Sequence, residues 1–213
     1  MRTIYFLLVL VFLQIRTAEA QFFKGVGATI GGTASWQKWK DQESGANGRG
    51  KMIFGVNAAL FAEMIDHEYY RWQSEFMWVM KGSKRNMGAP KVNLQYLGWG
   101  NYLKLRQELY DVTPYLLVGP KVEYLLSSNF SGFKSIHPTL FSAIGMEFLY
   151  KRPFIWLVEL GYDWDVLPAM QTDKFKVKNH ALLLRAGIKW EIKKKARGCG
   201  PSRYRENINM DNN

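Results

Sequence analysis

The chain carries a single cysteine, Cys199, so no internal disulfide can hold it together and its stability has to come from strand pairing and apolar burial. It has no apolar run long enough for a membrane-spanning helix. Its one extended run, residues 4–13, falls short of the ~20 residues that carry a helix across a bilayer, and no stop-transfer segment follows it. Linker-like composition and solenoid-length repeats are missing, which argues for one domain in 213 residues. Catalytic and cofactor signatures are missing as well. His67, His137 and His180 have neither metal-ligand spacing nor a neighbouring cysteine, and they read as turn or rim residues. Gly25 and Gly27, with Gly31 and Gly32, are not a phosphate loop, because no helix signal and no Lys-Ser/Thr pair follows. We therefore assign no catalytic, metal or cofactor site from the sequence.

Acidic residues are the scarcer charge, 18 Asp and Glu against 29 Lys and Arg, for a net charge of +11. The first twenty residues begin with Arg2, continue through the apolar run and end on Ala18-Glu19-Ala20, the layout of a secretory signal cut before Gln21. Export makes nucleic acid an improbable partner for the basic excess. Anionic headgroups and the phosphates of lipopolysaccharide are the expected counterparts.

After the leader, apolar and polar residues alternate in eight stretches. The clearest runs over residues 154–166, where Phe154, Trp156, Val158, Leu160, Tyr162 and Trp164 share one parity and Glu159, Gly161, Asp163 and Asp165 the other. A strand sends the two sets to opposite faces. On a helix Asp163 and Asp165 would lie on nearly opposite sides and scatter charge round the whole circumference. Similar alternation marks residues 25–36, 52–62, 70–78, 99–109, 115–126, 139–150 and 181–192. The links between these strands are alternately long and short.

Large apolar residues on one face and ionised residues on the other invert the pattern of a water-soluble barrel. This predicts an all-β fold, an eight-stranded antiparallel up-and-down transmembrane β-barrel, with short turns on the periplasmic side and longer outward loops. The polar parity then lines the bore: Arg71, Gln73, Glu75, Lys104, Arg106, Glu108, Lys121, Glu123, Glu147, Glu159, Asp163, Arg185, Lys189 and Glu191. Eight strands leave a bore that side chains fill, so these residues are expected to neutralise one another in a structural network. A Lys or Arg turned to the lipid midplane costs roughly 2–4 kcal/mol, which fixes the parity.

Several strand motifs carry a resemblance. They are Asn101-Tyr102-Leu103-Lys104-Leu105, residues 114–120 with Tyr124-Leu125-Leu126, Gly145-Met146-Glu147-Phe148, Glu159-Leu160-Gly161-Tyr162, and the closing strand 182–190. Together they resemble the PorT-like outer-membrane β-barrel family of Bacteroidetes, small barrels of the OmpA or OmpX type. The resemblance implies the cell outer membrane and permits a link to protein secretion. The chain departs from the family pattern in continuing past Ile192.

Three segments result: a signal peptide over 1–20, the barrel over 21–192, and a polar basic periplasmic tail over 193–213. Lys193, Lys194, Lys195, Arg197 and Cys199 in that tail are candidate contacts for outer-membrane or periplasmic proteins. The leading functional reading is a non-enzymatic accessory or structural member of an outer-membrane assembly. Two alternatives fit the sequence as well: porin-like passive or gated transport, and a secreted lipocalin-like binding barrel.

Overall fold

A computed structural model describes residues 23–67, 69–84, 91–148 and 154–192. The leader over 1–20 and the tail over 193–213, with Lys193, Lys194, Lys195, Arg197 and Cys199, lie outside the described residues. The strands are β1 (Phe23–Asp41), β2 (Asn47–Arg49), β3 (Ile53–Asp66), β4 (Tyr70–Lys84), β5 (Lys91–Arg106), β6 (Val112–Ser128), β7 (Ile136–Phe148), β8 (Phe154–Asp165), β9 (Met170–Gln171) and β10 (Phe175–Glu191). All but β2 and β9 are long, and each long strand pairs antiparallel with the next long strand in the chain. Pairing of β1 with β10, from Gly25 opposite Glu191 to Asp41 opposite Phe175, closes the ring. The fold is a closed eight-stranded antiparallel barrel.

The alternation predicts correctly which face is which. Phe54, Leu60, Phe76, Trp99, Ile144, Trp156, Leu160 and Leu184 stand exposed on the outer wall, while Glu159, Asp163 and Arg185 beside them in sequence are buried. An apolar exterior and a charged interior leave the wall stable only against hydrocarbon, and closure removes the unpaired strand edges that lipid cannot satisfy. This is a membrane-spanning barrel, which excludes the soluble lipocalin-like alternative. Aromatic residues mark the two ends of the apolar belt. On β8 they are Phe154 and Trp164, ten residues apart, about 33 Å along the strand and about 25 Å along the normal for a tilt near 40°. Phe154 meets Trp190 of β10 at the lower level, ring centroids 5.3 Å apart, and Trp36 stacks on His180 at the upper level, 5.7 Å apart.

The start of β1 and the end of β10 lie at one rim, where Ile192 N–H donates to the Lys24 carbonyl at 2.9 Å. The short connections share that rim, one of them the two-residue turn at Tyr110-Asp111 between the doubly bonded Leu109 and Val112. Tyr110 there adopts φ 40°, a left-handed position more often filled by Gly or Asn. The longer connections lie at the opposite rim, the outward end of a barrel of this kind. On that side β1 and β10 run past the wall: β2 pairs with Lys38, Trp39 and Lys40 of β1, and β9 with Lys176 and Val177 of β10. The result is a small four-stranded sheet, β2-β1-β10-β9, standing on the rim.

Several strands are longer than the alternation indicates. The stretch after Trp36, read as a loop, continues as strand to Asp41; the fifth strand starts at Lys91 and not at Trp99; and the last starts at Phe175 and not at Ala181. In all three extensions the outer face turns polar, at Lys38 and Lys40, at Lys91, Asn93 and Gln95, and at Lys176 and Lys178. In β5 the contrast inverts, with Val92, Leu94 and Tyr96 buried in the bore, so the apolar-outside pattern stops although the backbone pairing continues.

Candidate functional site

The bore is built layer by layer from inward side chains. Nearest the termini, Arg71 Nη1 donates to Glu63 Oε2 at 2.7 Å, Lys104 Nζ to Glu63 Oε1 at 2.5 Å, and Lys189 Nζ to Glu147 Oε2 at 2.6 Å. Lys104 also pairs with Glu147, which ties β3, β4, β5, β7 and β10 together across the bore. In the middle layer Arg185 bridges Glu75 at 2.7 Å and Glu159 at 2.5 Å, while the Tyr115 hydroxyl donates to Glu159 at 2.7 Å. Toward the outward end Lys81 lies 2.8 Å from both Glu123 and Asp163, and Lys121 pairs with the same two carboxylates.

The count of buried charges balances. Among the described residues Arg71, Lys81, Lys104, Arg106, Lys121, Arg185 and Lys189 are buried with Glu63, Glu75, Glu123, Glu147, Glu159, Asp163 and Asp165, seven of each sign, with His137 beside Asp165 and Arg106 reaching out to Glu108 at the rim. An unpaired charge at such depth would be strongly destabilising, so strict pairing is what a bore of this width requires. Lys81, Lys104, Lys121, Arg185 and Lys189 are each at most 2 % exposed. Among the described residues the bore is therefore filled, not open.

All ten lumen residues singled out from the sequence face inward and are buried: Arg71, Glu75, Arg106, Lys121, Glu123, Glu147, Glu159, Asp163, Arg185 and Lys189. Glu108 is a correction. β5 ends at Arg106, so Glu108 lies beyond the strand, exposed at the rim, where it pairs with Arg106. The bore is also less uniformly polar than the alternation implies. Met77, Val79, Leu94, Leu117 and Leu183 point inward with Tyr96, Tyr102 and Phe141, forming an apolar cluster that surrounds the ion pairs.

Glycines opposite the inward rings give them space. A methyl on Gly145 would sit 2.4 Å from the Tyr115 ring carbons, and one on Gly27 would sit 2.4 Å from Phe61. Tyr115 lies directly across from Gly145 in register, so its ring folds over the bare backbone and its hydroxyl reaches Glu159.

Glu63, Lys81 and His137 belong to the network and were missed from the sequence, while Asp165, placed on the polar parity with Glu159 and Asp163, joins it as that parity requires. His137 is the most consequential correction. Read as a turn or rim residue, it is 1 % exposed inside the bore, its Nε2 3.3 Å from Glu123 and 3.3 Å from Asp165. Those three residues converge closely enough to ligate a cation. Glu123 is already occupied: Lys81 and Lys121 ammonium groups sit 2.8 Å from its carboxylate and supply the positive charge a metal would bring. The cluster is an ion-pair knot that locks β4, β6, β7 and β8 together. His67 lies in the β3–β4 turn, stacked on Tyr70, and His180 lies on the outer wall between Trp36 and Tyr162.

No protein-family model matches this chain and no curated protein matches it. Solved structures similar to it are small outer-membrane barrels. Neisserial surface protein A has a TM-score of 0.48 at 14% identity, with 78% of this chain and 97% of that one covered. The outer membrane protein OprG from Pseudomonas aeruginosa gives 0.47 at 15% identity over 82% and 100%. Ail, the attachment invasion locus protein of Yersinia pestis, gives 0.41 at 15% identity over 78% and 99%. At these identities the similarity concerns architecture alone. The features that define an outer-membrane barrel are in the chain itself: a closed meander with an even number of strands, short turns beside the termini, longer loops opposite, and an apolar belt between aromatic levels.

Proposed function

We propose that this integral outer-membrane barrel is a sealed, non-enzymatic accessory or structural member of an outer-membrane assembly. The carrying observation is the filled bore, in which each buried carboxylate contacts a cation or His137 and each layer spans several strands. A sealed bore of mutually neutralised groups supports neither solute passage nor general acid-base chemistry. Contact with other molecules is then left to the two rims, the outer wall and the segment over 193–213.

The strand motifs that resemble the PorT-like family favour a secretion-related assembly. Docking of periplasmic or outer-membrane proteins through Lys193, Lys194, Lys195, Arg197 and Cys199 is the corresponding proposal for partners. Two measurements test the reading. In planar bilayers the purified barrel is expected to be electrically silent, and an affinity pull-down from native membranes is expected to recover a complex that is lost when residues 193–213 are deleted. A steady open conductance would overturn the sealed role, and an unchanged set of partners after the deletion would overturn the docking segment.

A further inference from the structure

The outward sheet carries a concentration of charge that no ion pair among the described residues neutralises. Arg49 of β2, Lys38 of β1 and Lys178 of β10 are consecutive cross-strand partners in one row, and Lys40 and Lys176 pair in the next row. Like charges directly opposite one another weaken a sheet, so this arrangement carries a folding cost. Among the described residues no carboxylate forms an ion pair with any of the five. Lys178 donates to the Val166 carbonyl at 2.8 Å, and the Arg49 guanidinium lies over the Trp36 ring at 4.6 Å; neither contact offsets charge. A groove of about 500 Å³ runs between them with Asn47 and Pro168, and no carboxylate lines it.

The position of the patch is informative. Lys38 and Lys178 share the parity of Val26, Ala28 and Ile30 on β1 and of Leu182 and Leu184 on β10, so they continue the lipid-facing wall and not the bore. Trp36 and His180 lie two residues below them on the same face, stacked with Tyr162 at the upper edge of the apolar belt. Two residues of tilted strand rise by about 5 Å along the normal, which brings the cations to headgroup height just above the aromatic level.

We infer that this face of the β2-β1-β10 sheet docks the phosphorylated headgroup of an anionic glycolipid of the surrounding outer leaflet. The acyl chains lie along the apolar wall beneath Trp36 and Tyr162, and the phosphates meet Arg49, Lys38, Lys178, Lys40 and Lys176. The inference rests on the outer-membrane orientation argued above, and it commits to a lipid because the patch is continuous with the hydrocarbon-facing surface.

The test uses the full barrel in phosphatidylcholine nanodiscs doped with bisphosphorylated lipid A or with its dephosphorylated form, and native mass spectrometry of the lipid retained on extraction. The wild-type barrel is expected to retain the phosphorylated form at least about tenfold over the dephosphorylated one. The variant with Lys38→Gln, Lys40→Gln, Arg49→Gln, Lys176→Gln and Lys178→Gln loses that preference, and the milder Lys38→Gln, Lys178→Gln pair weakens it at least about threefold. A control with Lys91→Gln and Lys134→Gln, which removes rim charge at the start of β5 and in the β6–β7 connection, keeps the preference. Equal retention of both lipids by the wild type, or equal loss in the control, overturns the site. Stronger capture of soluble dextran sulfate than of the phosphorylated lipid overturns the occupant and points to a polysaccharide. Heat-modifiable mobility recorded on the same samples reports folding and insertion, so failure of the barrel itself is distinguishable from failure of the site.

Discussion

The bore and the outward sheet treat the same kinds of side chain in opposite ways. Among the described residues the bore holds seven buried cations and seven buried carboxylates, and its ion pairs reach across the ring between strands far apart in sequence. On the outer face of the β2-β1-β10 extension five cations sit side by side without a carboxylate among them. The difference follows from surroundings. A charge enclosed by side chains has no water to fall back on, so partners must be built in, whereas a charge at the rim is hydrated and available to something outside the chain.

Truncation separates the two regions most sharply. Arg185→Ala strands Glu75 and Glu159 in the bore and should cost about 3–5 kcal/mol, read from denaturant unfolding in detergent or lipid. A value under 1 kcal/mol would show that the bore is wetter than its burial indicates. Placing a charge on the belt comes next: Leu184→Arg should cost roughly 2–4 kcal/mol by the same assay in bilayers. Filling the bore is milder, with Gly145→Ala driving a methyl into the Tyr115 ring for about 1–3 kcal/mol. The outward sheet should respond with the opposite sign. Lys38→Gln relieves repulsion from Lys178 and Arg49, so in neutral phosphatidylcholine it should stabilise the barrel by about 0.2–1 kcal/mol. A loss of stability in that lipid would mean that the row is internally satisfied.

The smallest effect is local and depends on pH. Asp41, at the tip of β1 above the apolar belt, accepts backbone N–H bonds from Ser44 at 3.2 Å and Glu43 at 2.9 Å, which hold its carboxyl below the ordinary value. A depressed folded pKa contributes stability that is present above the ordinary carboxylate pKa and is lost as the pH falls through the lowered one. Protection of the Glu43 and Ser44 amides, as exchange relative to the intrinsic rate at each pH, should therefore fall on acidification, and Asp41→Asn should remove that change in protection.

How far the sequence could be read differs along the strands. Within the belt, residues 154–165 gave a correct facing for every side chain, because hydrocarbon on one side and ion pairs on the other enforce strict alternation. β4 was harder: Phe76 and Trp78 face out while Met77 and Val79 face in, so both parities are apolar and the contrast vanishes. Lys81 was lost to a supposed loop for a related reason. Gly82, at φ 152° against the Val92 carbonyl, breaks the regular pattern just after it. His137 carried a usable signal, since it shares parity with Thr139 and Phe141, and extending the β7 alternation back to Ile136 places it in the bore.

Sequence alone determined the strand period, the number of long strands and which face meets lipid, because each of these is a local property of neighbours two residues apart, weighed against the large cost of charge in hydrocarbon. Only the closed tertiary structure decided which acid meets which base, that His137 lies between Glu123 and Asp165, and that β2, β1 and β10 together carry five cations above the membrane on one face. Those relations depend on cross-strand register around a complete ring, and register is fixed by closure and by packing of all the strands at once.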